Sequence, residues 1–354
     1  MTALQKVHPA YSDDAPEAAN DHALVPEFLG EVIPAAYLDE AEASPLMEVA
    51  SRWWQRFIFT LKLAVILTLL GGYPLMVMMS HKVDSRPIAA DLGLTWSSPE
   101  TGVALTLVGR EETGPGWVMD RSWWHPQARL TALPAWQEGL TSALSDYVLL
   151  MANTATPVDY APDADLMAAG RLLAPVSDSP ALARMHAAAQ ALQRYEGRLS
   201  RGLATAPTGI DAAQIELELY IAWAEAAEAD LKLASDSRDG WPASRADIEI
   251  VYKARGQAHA AAELLNATFL AEPDLSILRD TSEAKDRAIT AWRKAANFNP
   301  VFISSPGQTE GFLSDHPATL AWYIADARKA TLALSTALKA QSETNIELVA
   351  EVTP

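Results

Sequence analysis

The longest apolar run of the chain covers residues 57–79 and contains one charged residue, Lys62. At about 1.5 Å per residue a helix of this length covers roughly 35 Å, enough to cross a hydrocarbon core of about 30 Å. Lys62 lies near the N-terminal edge of the run, where its long side chain can reach the lipid headgroups. Trp53 and Trp54 precede the run, as in an interfacial aromatic belt. We therefore predict a transmembrane signal-anchor over residues 51–80, with membrane lipid as its partner.

Two other interpretations of the apolar run are less favoured. A cleaved signal peptide begins within the first residues and ends in a small-residue cleavage site, whereas a long N-terminal segment precedes this run and no such site follows it directly. A buried core helix usually keeps a polar face, and this run has none. No second run reaches about 18 apolar residues, so the sequence predicts one span.

Apolar residues at alternating intervals of three and four predict helices over most of residues 131–340. Alanine is abundant and β-branched residues are sparse in this region, which favours helix over strand. The fold class is therefore all-α, an antiparallel α-helical bundle after the single span. A further helix is predicted near 274–297, with Leu278, Ile289 and Trp292. Four seams are predicted to face the core: Leu182, Met185, Ala189, Leu192, Leu199, Leu203; Ile215, Leu219, Ala222, Ala226, Ala229, Leu233; Ile248, Val251, Ala258, Ala262, Leu265, Phe269; Leu320, Ile324, Ala327, Thr331, Leu334, Leu338.

Residues 81–130 form a Trp-rich linker that leads into the bundle. Within it, "GVALTLVGRE" is compatible with a strand or with the start of a helix. The adjacent Trp123 and Trp124, beside His125, could form a platform on which a sugar ring stacks. The favoured interpretation is that these two tryptophans anchor a loop onto the core.

The N-terminal and C-terminal segments are acidic tails. Lys6 is the only lysine or arginine in residues 1–50, which are also rich in proline, so we predict disorder there. An apolar motif over 24–38 is the exception, because it has helical spacing and could dock in a groove of a partner protein. Its alternatives are a chance apolar cluster and a segment on the membrane surface. Residues 341–354 are predicted to fray. The predicted partner-binding residues are Phe28, Leu29, Val32 and Ile33.

Composition excludes several classes of function. The net charge of −18 argues against a nucleic-acid partner, whose phosphates require a basic surface. The chain has no cysteine, which excludes disulfides, thiolate metal sites and thiol nucleophiles. Motifs for metalloproteases, P-loop or dinucleotide-binding proteins and α/β-hydrolases are missing as well. We therefore predict neither a cofactor nor a metal site.

Two groups of polar residues are weak candidates for chemistry. Asp315 and His316 are adjacent and follow a loop rich in glycine and proline, but Asp315 is better explained as the cap of the helix that Pro317 opens. His316 could be a general base, and the favoured alternative is a ring nitrogen bonded to a loop carbonyl. A second group recurs every seven residues and is expected to be a solvated face: Asp211, Glu218 and Glu225, with Glu228 nearby.

Parts of residues 130–338 resemble a family of membrane-anchored proteobacterial proteins, the domain of unknown function 2333. The similar segments are "LTALPAWQEGLTSAL" (130–144), "PALARMHAAAQALQRYEGRLSRGLA" (180–204), "YKARGQAHAAAELL" (252–265) and "AANFNPVFISSPGQTEGFLSDHPATLAWYIADARKATLALSTAL" (295–338). The matching positions are Pro134, Gln137, Gly139, Gly311, His316, Tyr323 and Arg328. Thr131 and Ala132 stand where the family has an Asp-Asn pair. The resemblance implies an N-terminal span followed by a periplasmic helical domain, and no activity.

These features predict a single-pass protein of the cell inner membrane. Basic residues flank both ends of the run, with a small excess at its N-terminal end, which favours a cytoplasmic N-terminus and a periplasmic C-terminal domain. We expect a non-enzymatic structural subunit, scaffold or tether in a cell-envelope complex, with other envelope proteins as partners. The alternative is a periplasmic enzyme that hydrolyses cell-wall material. A third possibility is the inverted topology, with the helical domain in the cytoplasm.

Overall fold

The computed structural model describes residues 45–72, 76, 83–88, 95–156, 160–176, 180–237, 243–300, 303–305 and 315–352. The predicted all-α class is confirmed, because these residues form helices and connecting segments and include no strand. The apolar motif at 24–38 and its residues Phe28, Leu29, Val32 and Ile33 lie outside the described residues.

The first helix, α1 (Pro45–Leu67), continues as one turn of π-helix over Thr68–Gly72. Within it, Val49–Gly72 is long and apolar enough to cross a membrane. None of these side chains is buried. Among the described residues it is the one helix with these properties.

Eight further helices form the helical domain within the described residues. They are α2 (Pro99–Thr113), α3 (Ala132–Thr154), α4 (Ala164–Leu173), α5 (Ala181–Leu199), α6 (Gly209–Ser237), α7 (Arg245–Ala271), α8 (Arg279–Ala296) and α9 (His316–Val352). Short 3₁₀ turns at Val118–Asp120, Pro126–Arg129 and Pro273–Ser276 lie between them. The "GVALTLVGRE" segment is helical, in α2. The last helix, α9, continues to Val352, beyond the predicted end of the bundle at residue 340.

Side-chain caps explain where three of these helices begin. The Ser98 hydroxyl accepts a hydrogen bond from the Thr101 N–H, with Pro99 in the first turn of α2. Asp163 caps α4 by accepting from the backbone N–H groups of residues 165 and 166, and Ser244 caps α7 in the same way. Each cap satisfies backbone donors that have no partner within their own helix.

The helix α7 is the centre of the domain, because α2, α3, α6 and α8 all pack against it. Two glycines allow α3 and α7 to approach closely. A Cβ atom on Gly139 would lie 2.1 Å from the carbonyl oxygen of Lys253, and one on Gly256 would lie 2.4 Å from that of Trp136. No side chain fits between the two backbones at this crossing.

Two of the four predicted seams face the core. All six residues predicted in α9, from Leu320 to Leu338, are fully buried. In α7 the predicted residues are buried except Ile248, which is half-buried and still packs against the core. Of the α5 seam, Met185 and Leu192 are buried, whereas Leu203 is exposed and lies beyond the end of the helix.

The predicted seam of α6 is wrong. Ile215 and Leu233 are exposed, as are the alanines between them, and Leu219 is only half-buried. The buried face carries Ala213, Leu217, Tyr220, Ala224, Ala227, Leu231 and Ala234. Both rows follow the same spacing of three and four, because α6 is apolar on two faces, so periodicity alone could not select the row that meets the core.

Candidate functional site

Two helices clamp the segment that precedes the domain, residues 83–88. The backbone N–H of Ile88 donates a buried hydrogen bond to Glu263 Oε2 at 2.9 Å, and the Ile88 side chain is 7 % exposed. The guanidinium of Arg110, on α2, donates to the carbonyl oxygens of Arg86 and Pro87 at 2.5 and 3.2 Å. We call the five residues Arg86, Pro87, Ile88, Arg110 and Glu263 the joint. It fixes the start of the domain to α2 and α7.

The joint lies at one end of a row of buried polar side chains on α7. Arg255, His259 and Glu263 recur every four residues on one face, and each is 1 % exposed. The Arg255 guanidinium lies 4.7 Å from the centre of the Tyr252 ring and 5.6 Å from that of Trp136. It also donates to the Ala296 carbonyl oxygen at 3.2 Å. Ring faces and a carbonyl thus hold this buried cation.

Three atoms near the joint are buried without a hydrogen-bond partner among the described residues: His259 Nε2, Glu263 Oε1 and Arg293 Nε. Glu263 Oε1 and Arg293 Nε lie 3.5 Å apart, so they form an ion pair but not a hydrogen bond. Burial, together with nearby Arg110, lowers the pKa of His259 to about 4. His259 is therefore neutral at neutral pH.

A second buried polar cluster links α3, α6 and α7. The Tyr147 hydroxyl donates to Glu216 Oε1 at 3.2 Å, and the Thr268 hydroxyl donates to Oε2 at 2.7 Å. Burial raises the pKa of Glu216 to about 8 and that of Glu100, on α2, to about 7. Nearby Glu100 contributes to the raised pKa of Glu216, and Glu272 contributes to both. Because both side chains are buried, we interpret them as structural groups that hold a proton near neutral pH.

The structure gives Asp315 and His316 structural contacts. Asp315 Oδ1 accepts from the Ala318 N–H at 3.0 Å, so Asp315 caps α9 as predicted, and its Oδ2 accepts from the Ser235 hydroxyl at 2.7 Å. His316 Nδ1 accepts from the Ser304 N–H at 3.1 Å, and the His316 N–H donates to the Ser304 carbonyl at 3.1 Å. The Ser304 hydroxyl lies 2.9 Å from the same Nδ1, so the ring contacts Ser304 through both the backbone and the side chain of that residue. Burial lowers the pKa of His316.

The remaining predicted residues are exposed. Trp53, Trp54 and Lys62 lie on α1 with exposed side chains, and the acidic row with Asp211 and Glu218 faces solvent as expected. Trp123 and Trp124 are 77 % and 64 % exposed. The prediction that these two tryptophans anchor a loop onto the core is therefore wrong.

Among the described residues, no cluster of three or more His, Asp or Glu side chains could hold a metal ion.

No protein-family model matches this chain, and neither a curated protein nor a solved structure matches it. The resemblance to the domain of unknown function 2333 stays a prediction. Three of the matching residues make structural contacts. The Gln137 side-chain amide donates a hydrogen bond to the Glu111 carboxylate on α2, and Gly139 lies at the α3–α7 crossing. Arg328 forms an ion pair with Glu228 at 2.7 Å.

Sequence reasoning did not find the joint or the Glu216 cluster. A signal for the joint is present, because Arg255 interrupts an otherwise apolar seam, and His259 and Glu263 continue it at intervals of four. Ionisable residues on a face that must be buried require specific partners. Their partners, residues 86–88, lie far away in the sequence, and no local sequence pattern marks them as partners.

Proposed function

We propose that this chain is a single-pass protein of the bacterial inner membrane that serves as a structural subunit, scaffold or tether in an envelope complex. Its N-terminus is cytoplasmic, α1 spans the bilayer, and the helical domain is an antiparallel bundle in the periplasm. Its partners are membrane lipid and other envelope proteins. Membership of the domain of unknown function 2333 is part of this proposal and rests on the sequence segments quoted above.

The joint is the observation that carries the proposal. Residues 86–88 are held against the domain by Arg110 and Glu263, so only a short stretch of chain separates the apolar helix from the domain. At most about 3.5 Å per residue can separate Gly72, where the apolar helix ends, from Val83. The domain is thereby kept within a few nanometres of the bilayer, which suits a tether.

The alternative of a periplasmic hydrolase finds less support. A general base needs a nitrogen or oxygen free to take a proton from the substrate. His316 Nδ1 accepts from the Ser304 N–H, so a neutral ring has its proton on Nε2, and both carboxylate oxygens of Asp315 accept hydrogen bonds from α9 and α6. These contacts explain the two side chains as supports for the start of α9.

Purification of the full chain in mild detergent from a strain with native levels of the protein tests the proposal. A structural subunit is expected to co-purify with one partner at constant stoichiometry, and cells lacking the protein should be complemented by Asp315→Asn and His316→Asn variants. A monomeric chain whose Asp315→Asn and His316→Asn variants remain folded but fail to complement would favour the enzyme.

A further inference from the structure

The loop between α2 and α3 presents two tryptophans to solvent. Met119, Trp123 and Trp124 are 59 %, 77 % and 64 % exposed. Removing a tryptophan ring from water is strongly favourable, because the ring has a large apolar area. Two adjacent exposed rings therefore indicate a surface that is covered by something else. We call residues 119–129 the tryptophan loop.

The tryptophan loop is held in place by contacts at its ends. The carboxylate of Asp120 accepts the N–H groups of Ala181 and Leu182, at the start of α5, at 3.0 and 2.7 Å. Gln127 donates to the Pro115 carbonyl at 3.0 Å. The Val118 N–H, next to the loop, donates to Gln137 on α3 at 3.2 Å. The exposure of the two rings is thus a feature of a fixed loop.

The charge of this loop is opposite to that of the chain. Residues 121–130 contain Arg121, Arg129 and His125 and no Asp or Glu, in a chain with a net charge of −18. Both arginines are exposed. The one acid at its edge, Asp120, is engaged at the N-terminus of α5. Exposed tryptophans with arginines beside them favour an anionic lipid surface, where the rings lie at headgroup depth and the guanidinium groups contact phosphate.

We propose that the tryptophan loop binds the surface of the same bilayer that α1 spans, with Trp123 and Trp124 at headgroup depth and Arg121 and Arg129 on anionic phosphates. The inference rests on the proposed membrane anchoring. That anchoring keeps the domain close to the bilayer, because ten residues separate Gly72 from Val83 and at most about 3.5 Å per residue is available. The lipid surface is therefore present near the domain at high effective concentration, unlike a free ligand.

Single-cysteine labelling of the full chain in vesicles tests this inference, since the native chain has no cysteine. An environment-sensitive fluorophore is placed on Ser122→Cys in the loop, on Ala226→Cys on the exposed face of α6, and on Val65→Cys in α1. The vesicles contain phosphatidylcholine and phosphatidylglycerol, with and without a lipid that carries a nitroxide quencher. Ser122→Cys is expected to show a blue shift and loss of emission with the quencher, as Val65→Cys does, and Ala226→Cys is expected to show neither.

The other outcomes are distinguishable. Quenching at Val65→Cys without quenching at Ser122→Cys would overturn the inference and leave the membrane anchoring intact. Failure of both probes to be quenched would overturn the anchoring itself. If Ser122→Cys is not quenched and a Trp123→Ala/Trp124→Ala variant of normal stability no longer complements, the loop is a site for a protein or sugar partner, which also overturns the inference. Quenching at Ser122→Cys should fall in vesicles without phosphatidylglycerol. It should also fall in an Arg121→Gln/Arg129→Gln variant. An unchanged signal would overturn the role of the arginines.

Discussion

The Glu263 carboxylate accepts a hydrogen bond from the backbone N–H of Ile88 at 2.9 Å, across a separation of 175 residues. This bond connects the segment that follows the apolar helix in sequence to the central helix of the domain. Because the bond is buried and one partner is charged, it is stronger than an exposed turn contact.

The joint predicts the effect of a Glu263→Ala substitution. It removes a charged acceptor and leaves the Ile88 N–H unpaired, which costs about 1.5–3 kcal/mol. Hydrogen exchange at Ile88 should accelerate more than exchange in the middle of α9. The control is Glu249→Ala, at an exposed position of the same helix, with an expected effect within about 0.5 kcal/mol. Equal protection of the Ile88 N–H from hydrogen exchange in both variants would show that its hydrogen bond to Glu263 is not formed.

The pKa of Glu216 predicts a pH dependence of stability. Burial raises this pKa from 4.5 to about 8, so the folded protein keeps the proton while the unfolded chain loses it. The contribution of Glu216 to the free energy of unfolding is therefore fully present below pH 4.5, and it is lost as the pH rises through about 8. Glutamine is neutral at every pH, so Glu216→Gln should melt at increasingly higher temperature than the wild type as the pH rises through this window.

The same comparison in a Glu218→Gln variant provides the control, because Glu218 is an exposed neighbour on α6. Its melting temperature should follow that of the wild type at every pH. A Glu216→Gln curve parallel to the wild-type curve between weakly acidic and weakly alkaline pH would mean that Glu216 is ionised in the folded protein.

The crossing of α3 and α7 predicts opposite signs for two kinds of glycine substitution. Gly139→Ala or Gly256→Ala forces the two backbones apart, because the new Cβ would overlap a carbonyl oxygen, and should cost about 1–3 kcal/mol or more. Gly197→Ala in α5 meets no atom within 4 Å and should stabilise the helix by about 0.5–1 kcal/mol. Denaturant melts of the three variants measure this; a neutral Gly139→Ala would contradict the close crossing.

His316 predicts a specific pattern of rescue. His316→Ala removes the acceptor of the Ser304 N–H and should lower stability by about 1–2 kcal/mol. His316→Asn keeps an oxygen near the position of Nδ1 and should recover part of the loss, whereas in His316→Gln the amide lies one bond further from the backbone. Thermal melts rank the three variants, and a His316→Gln variant more stable than His316→Asn would contradict the observed contact.

The buried face of α6 predicts which leucines tolerate a charge. Leu217 is 1 % exposed and Leu233 is 68 % exposed. Leu217→Asp buries an unpaired carboxylate, which costs several kcal/mol and can unfold a domain of ordinary stability. Leu233→Asp is the same substitution at an exposed position, so it should shift the melting temperature little. A loss in Leu233→Asp as large as that in Leu217→Asp would contradict this assignment of the buried and exposed faces.

The sequence predicts the helices well where burial makes one face unambiguous, as in α9, whose six predicted residues are all buried. It fails in α6, where two apolar rows have the same spacing and only tertiary contacts decide between them. It also fails for Trp123 and Trp124, because residue type favours burial and neither composition nor spacing shows that the loop is held outward by Asp120. The joint depends on partners far apart in sequence, which the local pattern of a single sequence does not reveal.

Labelling of single cysteines from one side of the membrane tests the central claim most directly. A membrane-impermeant maleimide is added to spheroplasts that contain the full chain with Ser12→Cys in the N-terminal tail or Ala226→Cys in the domain. The proposed topology predicts immediate labelling of Ala226→Cys and labelling of Ser12→Cys only after the membrane is permeabilised. The reverse pattern, or protection of both cysteines until lysis, would contradict a single-pass protein with a periplasmic helical domain.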